Sequence, residues 1–276
     1  MARRSLVLAL VWACSSSPHD VVRPTGPLVN KLPDGPPLAT PGEHMQYKLA
    51  LGGVELAIYD LAISDAPERP GQIVVQSHAK TVGLGALVKV DDYFSSWIDV
   101  KTGRPVHWTC DEYATNGQDK EKTDADLAGR HGDTVPIAFH LNGDPPRPEP
   151  QHVSLPDVWD MNSFLIALRA WEGPPGSTVV AEVLRSRFLW HVEMKIGGKQ
   201  QLHTAIGDFP ALRLDGHTYK LARDGSRFPD SDERNFTVWI SDDDGRVPLG
   251  VTARTDYGAI KMEIVDYQPG TGQRLR

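Results

Sequence analysis

The chain has 276 residues, with 29 Lys and Arg against 36 Asp and Glu, and a formal net charge of −7. An acidic chain without a basic stripe is a poor nucleic-acid binder and is repelled by anionic lipid, so nucleic acid is excluded as a partner. Its two cysteines, Cys14 and Cys110, are too few for a disulfide framework, so stability must come from a core.

Arg3 and Arg4 precede an apolar run from Leu6 to Ala13, and Cys14 follows directly. A basic n-region and a short apolar h-region make a secretory signal, too short to span a bilayer, which takes ~20 residues. Val11-Trp12-Ala13 before Cys14 resembles the bacterial lipobox, although Trp12 is bulky for it. We therefore read residues 1–13 as a signal peptide and Cys14 as the lipid attachment. Several acyl chains anchor stably where one does not. By resemblance to bacterial sorting rules, Ser15 favours the outer membrane. The expected location is the periplasmic side of the cell envelope, lipid-anchored, with a soluble secreted or periplasmic protein as the alternative. Loss of Arg3 and Arg4 leaves 27 basic against 36 acidic residues, a charge of −9.

Residues 14–41 carry the lipidated Cys and Pro18, Pro24, Pro27, Pro33, Pro36, Pro37 and Pro41. Proline removes backbone donors and favours polyproline II, so the stretch reads as a tether with His19 solvated in it. At ~3.1 Å per residue it reaches up to ~80 Å.

Residues 42–268 read as a single β-rich domain, with 269–276 as a tail. Met45, Tyr47, Leu49 and Leu51 alternate with polar neighbours, the period of a half-buried strand. Gly52-Gly53 turns the chain into a strand from Val54 to Ile63. Further strands follow at 72–81, 93–100 and 105–114, after a short helical turn expected at 83–90. Residues 120–127 are polar on both faces, which predicts an exposed or edge strand. A strand at 135–141 and a Pro-rich loop at 143–150 come next. Val158, Met161, Leu165 and Leu168 then recur at helical spacing, predicting one packed α-helix over 157–170, capped by Asp157 and ended by Gly173-Pro174-Pro175-Gly176. Strands resume at Thr178. Phe188 to Ile196 alternates strictly, Gly197-Gly198 reads as a turn, and 201–205, 211–221, 235–241, 247–255 and 259–267 complete the series. The fold class expected is mainly β: a large curved antiparallel sheet, or open half-barrel, of about ten or eleven strands with the helix in or over its mouth.

Blocks in order along the chain resemble a bacterial envelope family, domain of unknown function 3108. They are Pro41-Gly42-Glu43 before Tyr47; Lys89-Val90-Asp91-Asp92-Tyr93 through Asp99; Phe164 to Arg169; Thr237 to Asp242 with Arg246-Val247-Pro248; and Tyr257-Gly258 with Glu263 to Tyr267. The resemblance implies an envelope protein with a largely antiparallel sheet and no established activity. Its shape is similar to the half-barrels of lipoprotein carriers.

No catalytic residue and no metal ligand set is identified, and no cofactor is expected. Asp242-Asp243-Asp244-Gly245 is consecutive where a calcium loop alternates its ligands, so it reads as a hairpin turn with Gly at the positive φ. Asp92, Asp99 and Asp242 are the candidate acids of a hydrolase. Arg169 reads as a structural bridge to the last helix carbonyls or to Asp99 or Asp242. His78, His107, His191 and His203 show no zinc spacing. Cys110 reads as a small buried hydrophobe, and Trp97, Trp108, Trp190 and Trp239 as core more than pocket lining. Three functions stay open: a non-enzymatic binder of a hydrophobic or envelope-derived ligand, a structural or protein-interaction module, and a hydrolase using those acids. The membrane, through the anchor, is the one expected partner. A fixed anchor suits a receptor or assembly subunit better than a shuttle.

Overall fold

The computed structural model describes residues 27–83, 85, 90–113, 118–229, 231–255 and 258–276. Cys14 and His19 lie outside them, as do Lys89, Tyr257 and most of the turn expected at 83–90.

The chain starts in the middle of its sheet. β1 (His44–Leu51) is followed outward by antiparallel neighbours β2 (Val54–Asp65), β3 (Gln72–Thr81), β4 (Asp91–Asp99), β5 (Pro105–Tyr113) and β6 (Lys120–Asp126). After β7 (Thr134–Val135) come β8 (Ile137–Leu141) and β9 (Arg147–Pro148), which ends this half. β10 (Gln151–His152) forms a separate ladder with β7. The chain then crosses to the far edge, where β11 (Val158–Asp160) lies parallel to β12 (Thr178–Arg185), with helix α1 (Met161–Arg169) between them. β13 (Phe188–Thr204), β14 (Gly207–Lys220), β15 (Arg234–Ser241), β16 (Pro248–Thr255) and β17 (Gly258–Gln268) walk back until β17 pairs with β1. The result is one fifteen-stranded sheet with β11 and β9 at its edges.

Alternation curls this sheet around its own apolar face. Met45 and Tyr47, Leu61 and Ile63, Ile73 and Val75, Phe94 and Ile98, Met194 and Ile196, and Ile260 and Ile264 all point inward and are buried. β11 touches β5 across the interior, and α1 packs against β3, β4 and β12, so the two halves of the sheet face each other over the helix. One core cluster surrounds Phe164, Ile166, Leu168 and Trp171. A second surrounds Phe94, Trp108 and Ile137, nearer the end that carries the Gly52-Gly53 hairpin. We call that the upper end. Both glycines of the hairpin have positive φ, 57° and 88°, which suits the tight turns favoured between strands.

Several expectations need correction. The helix is shorter, because residues 158–160 are held as a strand by β12 and Asp160 is the cap. Asp160 Oδ1 accepts the N–H groups of Asn162 and Ser163 at 2.9 and 3.0 Å. Asp157 instead receives Arg104 at 2.9 Å. The helix lies within the curl of the sheet, so Asn162, Ser163, Phe164, Ile166, Ala167 and Arg169 are buried with Leu168, while Met161 and Leu165 of the expected stripe are only half-buried. β6 is an internal strand between β5 and β8, and its Thr123 and Ala125 are buried. Gly197-Gly198 is a bulge inside the seventeen-residue β13, not a turn; the register shift bends the strand without ending it.

The end of the expected tether, continuing to Glu43 as a strap along the lower end of the sheet (residues 29–43), is also part of the domain. Leu32 and Ala39 join the core. The Val29 N–H donates to Ser177 Oγ at 3.0 Å, Arg104 pairs with Asp34 at 2.7 Å, and the Leu275 N–H donates to the Ala39 carbonyl at 3.0 Å. Proline-rich backbone, poor in its own donors, is here supplied with partners by the barrel's lower rim.

Candidate functional site

Two polar constellations interrupt the core. The lower one joins the helix end to the strap. Arg169 Nη1 lies 2.9 Å from Glu43 Oε2, and both side chains are almost fully buried. Its Nη2 and Nε donate to the Gly245 and Arg246 carbonyls at 2.9 and 3.1 Å. Arg246 reciprocates, donating to the Arg169 and Trp171 carbonyls at 2.9 Å each. Arg169 is thus a structural bridge, but to Glu43 and the 242–247 turn rather than to Asp99 or Asp242. In that turn Asp243 Oδ1 accepts the Gly245 and Arg246 N–H groups at 2.9 and 3.1 Å. The positive φ falls on Arg246 at 48°, not on Gly245, because the Arg246 side chain is held by the helix end.

The upper constellation is the candidate site. The inward-facing parity of β4, β5 and β6 brings Asp92, Glu112 and Glu121 side by side, with Glu112 directly opposite Glu121 in register. Asp92 Oδ1 accepts the Tyr113 N–H at 3.0 Å, while Oδ2 has no hydrogen-bond partner among the described residues. Burial, with the charge of Glu112 added, pushes the Asp92 carboxyl up to about 7. Burial and the same acids push the Cys110 thiol well above its usual value, which leaves it a poor nucleophile. Burial pulls the Arg185 guanidinium on the facing wall down, against the charges of Glu112 and Asp92.

Above this layer the strand ends supply cations. Glu149 receives Arg147 at 2.8 Å, Arg187 at 3.3 Å and, closest, Arg223. Burial pushes its carboxyl up, but the bonds from Arg223 and Arg147 and the charge of Arg187 outweigh burial and hold it below the usual range. Arg187 also stands 4.0 Å from Glu121. Phe188, the first residue of β13, is ringed by three cations: Lys220 Nζ at 3.5 Å, Arg187 Cζ at 5.4 Å and Arg223 Cζ at 5.5 Å from its centroid. Lys220 also lies 4.1 Å from the Phe228 ring, and burial, then the charges of Arg187, Arg185 and Arg223, pulls its ammonium down to about 8.

Of the candidate acids, only Asp92 belongs here. Asp99 is at the opposite end of β4, seven residues or ~23 Å away, and accepts the Lys101 and Thr102 N–H groups of the outer turn at 3.0 and 2.8 Å. Asp242 pairs with Lys199 at 2.7 Å. His78, His107, His191 and His203 each face a carboxylate outside the core, of Asp91, Asp124, Glu193 and Asp208. Trp108 is core, whereas Trp97 lies outside with Glu68 and Arg69. Trp190 and Trp239 sit under Arg234 and Arg213. Arg185, Arg187, Lys220, Arg223 and Glu149 escape a sequence reading, because four of these five lie in or beside strand-end turns that only the curl brings together. The available hint was β6, whose Glu121 and Thr123 are polar at inward positions.

The chain belongs to the family described as protein of unknown function DUF3108, which matches residues 46–265. None of the curated proteins matches it. Among solved structures it is similar to the beta-barrel-like protein of domain of unknown function DUF1849 from Brucella abortus, at 8% identity and TM-score 0.53 over 84% of this chain and 99% of that one. Weaker likeness extends to a Parabacteroides distasonis protein assigned as a lipoprotein, at 6% identity and TM-score 0.40 over 86% and 100% of the two chains. A Bacteroides fragilis protein assigned as exported, with a YmcC-like fold, matches at 6% identity and TM-score 0.33 over 85% and 99%. The Brucella likeness shows a shared barrel-like fold.

Proposed function

We propose that this is a non-enzymatic protein of the cell envelope, anchored through Cys14, that works as a fixed interaction module rather than as a carrier of an apolar ligand. The observation that supports this reading is the filled interior. Met45, Ile63, Val75, Ile98, Trp108, Trp171, Ile196, Leu214, Ile240 and Ile264 come from both halves of the curled sheet and from the residue after the helix cap, and each is at 0% exposure. These side chains fill the concave face with one another, whereas a pocket for an acyl chain is an open apolar concavity of at least ~300 Å³. The three acids of the hydrolase reading, Asp92, Asp99 and Asp242, do not converge, whereas an acid pair acts across ~5–10 Å; the acids that do gather, Asp92, Glu112 and Glu121, sit in a layer with Arg185 and Arg187.

The test is native mass spectrometry of the mature protein taken from the envelope fraction in mild detergent, with acyl chains on Cys14 read from the denatured mass. The expected result is a protein mass carrying the covalent lipid and no further apolar adduct. A stoichiometric acyl-chain ligand lost on denaturation would overturn the reading in favour of a carrier, and an unmodified Cys14 would overturn the anchor.

A further inference from the structure

The cations at the upper end exceed the acids that answer them. Arg147, Arg187, Lys220 and Arg223 surround Phe139, Phe188 and Phe228. Two carboxylates, Glu149 and Glu121, lie against them. Arg185, deeper in, is answered by Glu112 and Asp92. Two donors of the upper layer also lack acceptors among the described residues. Arg223 Nη1 is buried without a hydrogen bond, and Lys220 Nζ meets only the faces of Phe188 and Phe228. A cation–π contact stabilises an ammonium but leaves its N–H groups free to donate. Arg187 and Arg223 remain partly open to solvent, at 22% and 39% of their side chains, so the cluster can be reached from outside.

We propose that Lys220, Arg223 and Arg187 form a receptor for a phosphate monoester group at the upper mouth of the barrel, with Phe188 as its floor. Four cations against two carboxylates in the upper layer, with Arg185 facing Glu112 and Asp92 below, leave a surplus of one positive charge with Asp92 ionised and two with it protonated, and a phosphate monoester carries about −1.5 to −2 at neutral pH. Its oxygens accept from the two unpartnered donors, and an arginine fork suits phosphate geometry. Glu149 holds Arg187 and Arg223 in place before the anion arrives, so little ordering remains to be done on binding. The group can belong to a lipid headgroup or to a soluble phosphate ester, since both present the same oxygens.

Titration calorimetry on the full mature chain in neutral detergent tests this with three probes: inorganic phosphate, glycerol 3-phosphate and dihexanoyl phosphatidic acid below its micellar concentration. Saturable binding is expected for glycerol 3-phosphate, and sodium chloride at equal ionic strength leaves it unsaturated. Tighter binding of the phosphatidic acid assigns the site to a lipid headgroup, and equal binding assigns it to a soluble ester. K220M and R223Q should each weaken binding about tenfold or more, the loss of one charged hydrogen bond, whereas K220R should retain it. Absence of saturable binding by any probe, or wild-type affinity in R223Q and K220M, overturns the proposal. Should K220M fail to fold, R223Q at the rim and K220R decide the question.

Discussion

The two charged ends of this barrel use the same residue types to opposite effect. At the lower end Arg169 and Arg246 each donate to two backbone carbonyls, and Arg169 Nη1 stands in ion-pair range of Glu43 Oε2. At the upper end Glu149 is shared by three arginines and Lys220 has no acceptor among the described residues. Removing one partner of a buried charge pair is costly, and a buried charged donor without an acceptor calls for an explanation. The lower end is therefore architecture, tying helix, strap and turn together, and the upper end is the better place to look for recognition.

The sharpest break of this contrast is Arg169→Met. It strands Glu43 in the core and frees two carbonyls, so a loss of about 3–5 kcal/mol is expected in urea unfolding. A loss below ~1 kcal/mol, the range of an exposed pair, would mean that the lower network is not a lock. Next is Asp92→Asn, with the opposite sign. A carboxyl raised to about 7 from an unfolded value near 4 binds its proton more tightly when folded. The native state is therefore penalised increasingly as pH rises from about 4 to 7, and fully above 7. The variant should gain stability at pH 8, by at most about 4 kcal/mol, less the Tyr113 bond it weakens. The gain should vanish at pH 4. A pH-independent difference would show that Asp92 does not titrate with folding.

A smaller effect separates the cations. Lys220, lowered to about 8, disfavours the folded state while charged. Lys220→Met should gain under about 1 kcal/mol at pH 6, after discounting for solvent screening. That gain fades as pH rises from 8 to beyond 10. A loss as large as that of Arg169→Met would erase the distinction between the ends. The smallest effect belongs to Asp99→Ala. It removes the acceptor of the exposed turn bonds from Lys101 and Thr102 and should cost about 0.5–1 kcal/mol, which thermal melts can check. A larger cost would restore Asp99 as an acid with a special role.

Most strands are legible in the sequence because the period of two survives wherever one face is buried, as in Tyr47 or Met194. The helix is legible in place but not in extent. Val158 fits the helical stripe, yet pairing of Val158 and Trp159 with Glu182 and Val183 on β12 makes this segment a strand. Part of the excess over the ten or eleven strands expected is β7, β9, β10 and β11, which are two or three residues long, too short to carry a period. β6 reads as an edge because its inward Glu121 and Thr123 are polar, and inward polarity is what the charged mouth requires.

By itself, then, the sequence determined the antiparallel β character of residues 44–268, the place of the helix and the expectation of a lipid-anchored N-terminus, all of which follow from local composition and periodicity. The tertiary structure alone decided that the strap after Val29 joins the core, that Arg169 finds Glu43 more than a hundred positions away, and that Arg187, Lys220 and Arg223 meet around Phe188. These outcomes depend on the curl of a sheet whose last strand pairs with its first. Residue spacing along the chain carries no information about which strand ends that curl brings together.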